Sequence, residues 1–304
     1  MGRRGWLLFA AMGVLWGISY LLIKVAVAEV SVPMVVFVRT AGAAALLFPL
    51  AARSMRWTVL RRHWLPLLGF AVLEIILPWG LLSDAERKLT SSLAGLLVAA
   101  VPIVGLVASR LLGDTERIGP LRWTGLALGL AGVAVLVGPA VATTPGGGQV
   151  LPVLEMALVV LGYAVAPLIA ARRLTEVPDL VTLAVCLGFG GLVYAPVAVR
   201  HWPAELPSAS ALAALAGLAV FCTAVAFVVF FALLREVGPG RAMVFTYVNP
   251  AVAVLAGVLV LDEPLSWSIV ASFGLIICGS VLATASRPVR RAPEPCVITK
   301  ARLT

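Results

Sequence analysis

Four ionisable residues stand where the surrounding chain is otherwise apolar: Lys24, Arg39, Glu74 and Glu155. A charge at the centre of a membrane helix costs roughly 2.5–3.5 kcal/mol on insertion scales, so each needs a reason to be there. Glu74 is the sharpest case. It lies about nine residues from either end of the apolar span 65–83, too deep for a short side chain to reach water. Such a carboxyl must face a polar cavity, meet a cation or stay protonated, so it can bind a cationic group or carry a proton. The bland alternative is a hydrogen bond to a neighbouring helix. Arg39 sits in span 32–52, and Lys24 closes the first apolar run with Glu29 soon after. Both read as gating or charge-pairing groups, Arg39 with Glu29 or Glu74 as its partner and Lys24 able to snorkel toward the interface. Glu155 reads as a carboxylate near the outer interface.

Aromatic and amide side chains supply the other candidates. Trp16, Tyr20 and Lys24 are spaced i, i+4, i+8 and would share one stripe of a continuous helix. Tyr163 occupies the matching place half a chain later. Trp79 follows Pro78, and Tyr247 and Asn249 precede Pro250. Proline in a membrane helix frees a backbone carbonyl, a device that transporters use near their sites. Trp16, Tyr20, Glu74, Trp79, Tyr163, Tyr247 and Asn249 are therefore expected to line one central cavity. Ordinary helix packing is the competing explanation for any single member of that set.

Enzymatic chemistry finds little footing. The two histidines, His63 and His201, are far apart in the chain, and no His-Glu-x-x-His or phosphate-binding glycine loop occurs. Neither a metal nor another cofactor is expected. The four cysteines have no metal-ligand spacing and read as small packing residues.

The elements that must position these residues follow from hydropathy. Of 304 residues, 62% are hydrophobic and 12% charged, about half the charge of an average soluble domain. Uncharged stretches cover 5–23, 89–109, 123–154, 180–199, 206–234, 242–261 and 264–286. A crossing helix needs about 20 such residues. The stretch 123–154 is too long for one crossing, and Thr143 to Gly148 divides it. With the spans that contain Arg39, Glu74 and Glu155, the reading is all-α integral membrane with ten transmembrane helices. Arg3-Arg4 and the run after them read as the first of these helices rather than a cleaved signal.

The net charge of +9 does not point to nucleic acid. With the N-terminus in the cytoplasm, 18 Lys and Arg residues fall inside and only Arg87, Lys88 and Arg200 outside. That bias orients a membrane protein. Both termini are then cytoplasmic, and the basic tail 287–304 is an inside anchor near lipid headgroups.

An offset of 147 residues aligns Glu29 with Glu176, Pro49 with Pro196, Glu116 with Glu263 and Gly132 with Gly279. The reading is a first five-helix repeat in 1–140, an extracytoplasmic linker in 141–149 and a second repeat in 150–286. Five helices per repeat make the second enter from the opposite face, so the repeats are inverted, as in many secondary transporters. Gly125 and Gly129 form a small-xxx-small seam that suits packing within the chain and leaves a homodimer open.

The motifs resemble the EamA-like transporters of the drug/metabolite transporter superfamily. Trp16-Gly17-Ile18-Ser19-Tyr20 with Lys24, Phe37-Val38-Arg39, and Ala85-Glu86 followed by Ser91 to Leu96 and Pro102 are similar to first-repeat segments. Tyr247-Val248-Asn249-Pro250 and Leu261-Asp262-Glu263-Pro264-Leu265 with Gly279 are similar to the end of the second. The resemblance implies a ten-helix basket around a central cavity in a bacterial inner membrane. It implies export of a small metabolite, amino-acid-like or amphipathic, with protons as a candidate coupling ion. A lipid or lipid-linked sugar translocase, and a non-transporting membrane enzyme or scaffold, are the alternatives.

The orientation has a direct test. A cysteine introduced as Gly147→Cys should react with a membrane-impermeant thiol reagent in intact cells, whereas Cys296 in the tail should react only after lysis. The reverse pattern would overturn the topology.

Overall fold

A computed structural model of the chain describes residues 2–113, 119–142, 150–237 and 248–284. Every regular element among the described residues is a helix. Eight are long and apolar enough to cross a membrane: α1 (Arg3–Val27), α2 (Val32–Ala52), α3 (Trp64–Ala85), α4 (Ser91–Leu111), α5 (Pro120–Ala142), α6 (Val150–Arg173), α7 (Asp179–Arg200) and α8 (Ala209–Val237). Two shorter apolar helices follow, α9 (Asn249–Val260) and α10 (Trp267–Thr284). The 12 residues of α9 rise about 18 Å at 1.5 Å each, less than the hydrocarbon thickness. The apolar stretch that precedes them lies outside the described residues, as do Asp114, Glu116, the 143–149 linker segment and the tail.

Large apolar side chains cover the periphery. Leu7, Leu65, Leu130, Leu151, Leu192 and Leu259 are all exposed. In water such a surface would aggregate, and in lipid it is the solvated face. Because lipid tails are as apolar as leucine, the helices are held by close packing and hydrogen bonds rather than by hydrophobic exclusion.

Small residues provide that packing. α5 and α10 run against each other along their lengths. A Cβ placed on Gly279 would lie 2.6 Å from Gly129 Cα and 2.7 Å from the Gly125 carbonyl. On the α2–α7 seam, Gly190 faces Thr40 and Gly191 faces Ala41. Elsewhere α1 packs on α8 and α6 on α3, while α6 touches α4 and α1 touches α9. Replacing each helix by the one five places later or earlier converts these pairs into one another.

Several helices are interrupted. α1 breaks at Ile18, just after Gly17. α4 breaks at Ala99-Ala100, before Pro102. α3 contains a π-helical segment Val72–Ile76, before Pro78, and α8 contains another at Val220–Val225. The two π segments begin 148 residues apart. Each break loosens a backbone carbonyl that lipid cannot satisfy. Hydroxyls supply donors there: Ser19 Oγ to Trp16 O at 2.7 Å, Ser280 Oγ to Ala99 O at 3.0 Å and Tyr194 Oη to Ile76 O at 2.8 Å.

The break in α1 corrects one expectation. Trp16, Tyr20 and Lys24 do not serve one neighbourhood: on either side of Ile18, Trp16 packs beside Met12 and Leu233, and Tyr20 packs in the main apolar core.

The glycine seam makes a prediction. Gly279→Ala places a methyl against backbone that cannot retreat, and should destabilise the protein by about 1–3 kcal/mol. Gly274→Ala, with open space at its Cβ, is the control. Thermal unfolding in detergent should separate them, and equal melting temperatures would refute the seam.

Candidate functional site

A polar region of the interior forms around Tyr163 of α6. Arg39 of α2 is 7% exposed. Its Nε donates to Thr223 Oγ1 at 3.0 Å, and its guanidinium carbon lies 3.7 Å from the Trp79 ring centroid. A desolvated cation over an indole face gains about 2 kcal/mol or more. Thr223 in turn donates to Leu218 O at 2.8 Å, so the π segment of α8 presents the acceptor that Arg39 needs. Tyr163 is in electrostatic contact with Glu74, Arg39, Glu86, Trp79 and Tyr20.

Glu74 belongs to the π segment of α3. Its Oε2 is buried and has no hydrogen-bond partner among the described residues. Its electrostatic neighbours are Tyr163 and Cys186, neither of them a cation. The pairing of Arg39 with Glu74 or Glu29 is therefore corrected: Arg39 turns toward Thr223 and Trp79. Glu29 instead accepts from Ser208, at 2.7 Å from its N–H and 2.5 Å from its hydroxyl. Those bonds hold the Glu29 carboxyl below the usual carboxylate range and place a negative charge at the start of α8.

Lys24 is also corrected. It pairs with no carboxylate among the described residues: its Nζ donates to the carbonyls of Glu86 at 2.6 Å and Leu89 at 2.7 Å. A lysine at the end of a helix satisfies orphan carbonyls and complements the helix dipole.

Tyr20, Arg39, Glu74, Trp79 and Tyr163 thus share one region. Tyr20, Arg39 and Trp79 are buried, whereas Glu74 and Tyr163 are half-buried. Trp16 goes elsewhere, packing 5.4 Å from Phe227 and 5.5 Å from Phe230 beside Met12 and Leu233. Asn249 begins α9, its carbonyl facing Gly17 at the break in α1 and its buried Oδ1 unpartnered among the described residues. Tyr247 lies outside the described residues. Glu155 sits beside Asp84 and Lys88.

Sequence reasoning gave two acidic residues no role of their own. Glu86 is 0% exposed, yet its neighbours Asp84, Arg87 and Lys88 make it read as a solvated loop. The signal was its place on the apolar row Leu82, Glu86, Leu89. Glu263 is 8% exposed and accepts four hydrogen bonds. They come from Ser91 N (2.7 Å), Ser91 Oγ (2.9 Å), Ser92 N (3.0 Å) and Ser92 Oγ (2.5 Å). The carboxylate thereby caps the first turn of α4 from the far end of the chain. Asp262, at φ +53°, turns the chain to deliver it, and Gly257 leaves it room. Among the described residues, no cluster of His, Cys, Asp or Glu could hold a metal.

The cap is testable. Glu263→Gln keeps the shape but turns an NH2 group toward hydrogen-bond donors, so it should cost about 2–3 kcal/mol. Glu205→Gln, at an exposed carboxylate, should leave the melting temperature unchanged. A cap that contributes nothing would leave both variants alike.

Comparisons with known proteins agree with this architecture. The EamA-like transporter family matches twice, over residues 3–138 and 151–285. The "Uncharacterized inner membrane transporter YedA" of Escherichia coli (strain K12) is 30% identical over 287 residues, covering 91% of this chain and 89% of that protein. The "Uncharacterized transporter YvbV" of Bacillus subtilis (strain 168) is 26% identical, with 94% and 93% covered. A solved structure described as "Crystal structure of protein" has the same fold, with TM-score 0.63 at 22% identity over 91% of this chain and 95% of that one. Two family matches spanning nearly the whole sequence, and a 30% identical relative aligned almost end to end, make this chain a member of the EamA-like transporter family, of the drug/metabolite transporter type.

Proposed function

We propose that the chain is a secondary transporter of the inner membrane. It has ten spans in two inverted five-helix repeats, and it exports a small metabolite through the region around Tyr163. Membership of a transporter family supports the activity. The printed name of the YedA relative supports the inner membrane. The two family matches, the paired π segments and the interchangeable helix contacts support two repeats, and the charge bias supports cytoplasmic termini.

The observation that carries the mechanism is Glu74. One oxygen of its carboxyl is buried without a partner among the described residues, and the Arg39 guanidinium is committed to Thr223 and Trp79. A buried carboxyl without a cation is unfavourable as a carboxylate. It therefore binds either a cationic group of the substrate or a proton, and exchange of one for the other couples transport to the proton gradient. Tyr163 lies beside this carboxyl, with Tyr20 and Trp79 next to Tyr163 in turn, and aromatic faces suit an amphipathic cation such as an amino-acid-like or drug-like compound. The broken α1 and the π segment of α3 let these residues change position without leaving backbone groups unsatisfied.

Transport measured in proteoliposomes with a panel of cationic and amphipathic metabolites tests the proposal. Glu74→Gln keeps the shape and removes the titrating group. The expected result is a folded protein whose transport no longer depends on pH. Normal, pH-dependent transport by Glu74→Gln would make Glu74 structural and defeat the mechanism.

A further inference from the structure

Glu86 is a second buried carboxyl that this mechanism does not use. It ends α3, at the face assigned as extracytoplasmic, and neither of its oxygens has a hydrogen-bond partner among the described residues. The charged and titratable groups around it come from every neighbouring element. Lys24 and Tyr20 approach from α1, Arg39 from α2, Tyr163 from α6 and Glu263 from the turn after α9. Its own turn carries Asp84 and Arg87, 3.4 Å apart, and Lys88 beside Glu155.

Most of these groups are already committed. Glu263 accepts four donors, and Arg39 is held by Thr223 and Trp79. Lys24 is different. Two bonds tie its ammonium to the backbone of the turn that Glu86 begins, and an ammonium has three donors. An ionised Glu86 at this depth would draw that ammonium to itself, because it has no other donor among the described residues. The two arrangements compete by position: held at the two carbonyls, the ammonium bonds neither oxygen of Glu86 despite its third donor, so reaching the carboxylate draws it off them.

We infer that Glu86 is a proton-binding site whose occupancy decides whether Lys24 ties down the α3–α4 turn. In the arrangement seen here the carboxyl holds its proton and Lys24 holds the carbonyls of Glu86 and Leu89. When the proton leaves to water at this face, Lys24 pairs with the carboxylate and releases the turn. The turn leads directly into Ser91 and Ser92, which hold the Glu263 cap. Loss of one proton thereby loosens the knot that joins α1, α3, α4 and the α9–α10 connection. This site stands independently of Glu74; only its use as a gate rests on the transporter reading.

Infrared titration of the purified full-length protein in detergent tests the site without a substrate. The variants are Glu86→Gln, Glu74→Gln, Glu155→Gln and Lys24→Met. A protonated-carboxyl absorption should persist near neutral pH, lose a component in Glu86→Gln, and keep that component in Glu74→Gln and Glu155→Gln. In Lys24→Met it should persist to higher pH. Amide exchange of residues 86–90, corrected for intrinsic rates, should rise as the component disappears in the wild type and stay flat in Lys24→Met. If Glu86→Gln does not fold, the Lys24→Met shift and the exchange data decide. An unchanged carboxyl signal in Glu86→Gln overturns the site. Exchange at 86–90 that ignores pH in the wild type overturns the switch. Failure of the Glu74→Gln transport test leaves both readouts intact.

Discussion

The hydrocarbon interior supplies no hydrogen bonds, and every departure from a regular helix in this protein must be answered from within the chain. That constraint explains where the hydroxyls are. Ser19, Tyr194 and Ser280 each meet a carbonyl at an irregular turn. They make breaks in α1, α3 and α4 tolerable, and those breaks are what bring polar side chains into the bundle.

The same constraint governs charge. Arg39 is acceptable inside because an indole face and a threonine oxygen surround it. Lys24 is acceptable because it reaches carbonyls at a helix end. Glu263 is acceptable because two serines supply four donors, and Glu29 because Ser208 supplies two. Oε2 of Glu74 and both carboxyl oxygens of Glu86 are buried with no such donors among the described residues. A buried carboxyl left in that state is a proton site or a ligand site by default, and these two are where the energetic tension of the fold is concentrated.

The helix ends carry the long-range connections. Glu29 reaches from the end of α1 to the start of α8, and Glu263 from the end of α9 to the start of α4. Both exploit the partial positive charge of a helix N-terminus. Between these knots the glycine seams of α5 with α10 and α2 with α7 hold backbones close enough for dispersion to act. An assembly of rigid seams joined by a few ionic knots can change shape by releasing a knot, which is what a transporter requires.

Composition and hydropathy determined that this is a helical membrane protein, because a chain with so few charges cannot be solvated by water. The order of short motifs determined the family. Tyr20, Arg39, Glu74, Trp79 and Tyr163 were legible as candidates because a polar or aromatic exception in an apolar span is conspicuous. Their partners were not legible. Hydropathy is a sum along the chain, while a hydrogen bond depends on direction and distance between helices remote in sequence. Only the tertiary structure turned Arg39 from Glu29 or Glu74 to Thr223 and Trp79, and brought Lys24 to the carbonyls of Glu86 and Leu89. Only it placed Trp16 and Tyr20 in different packing clusters. Glu86 and Glu263 gained their importance the same way: in sequence each sits among charged or turn residues, and burial is a property of what packs around a side chain.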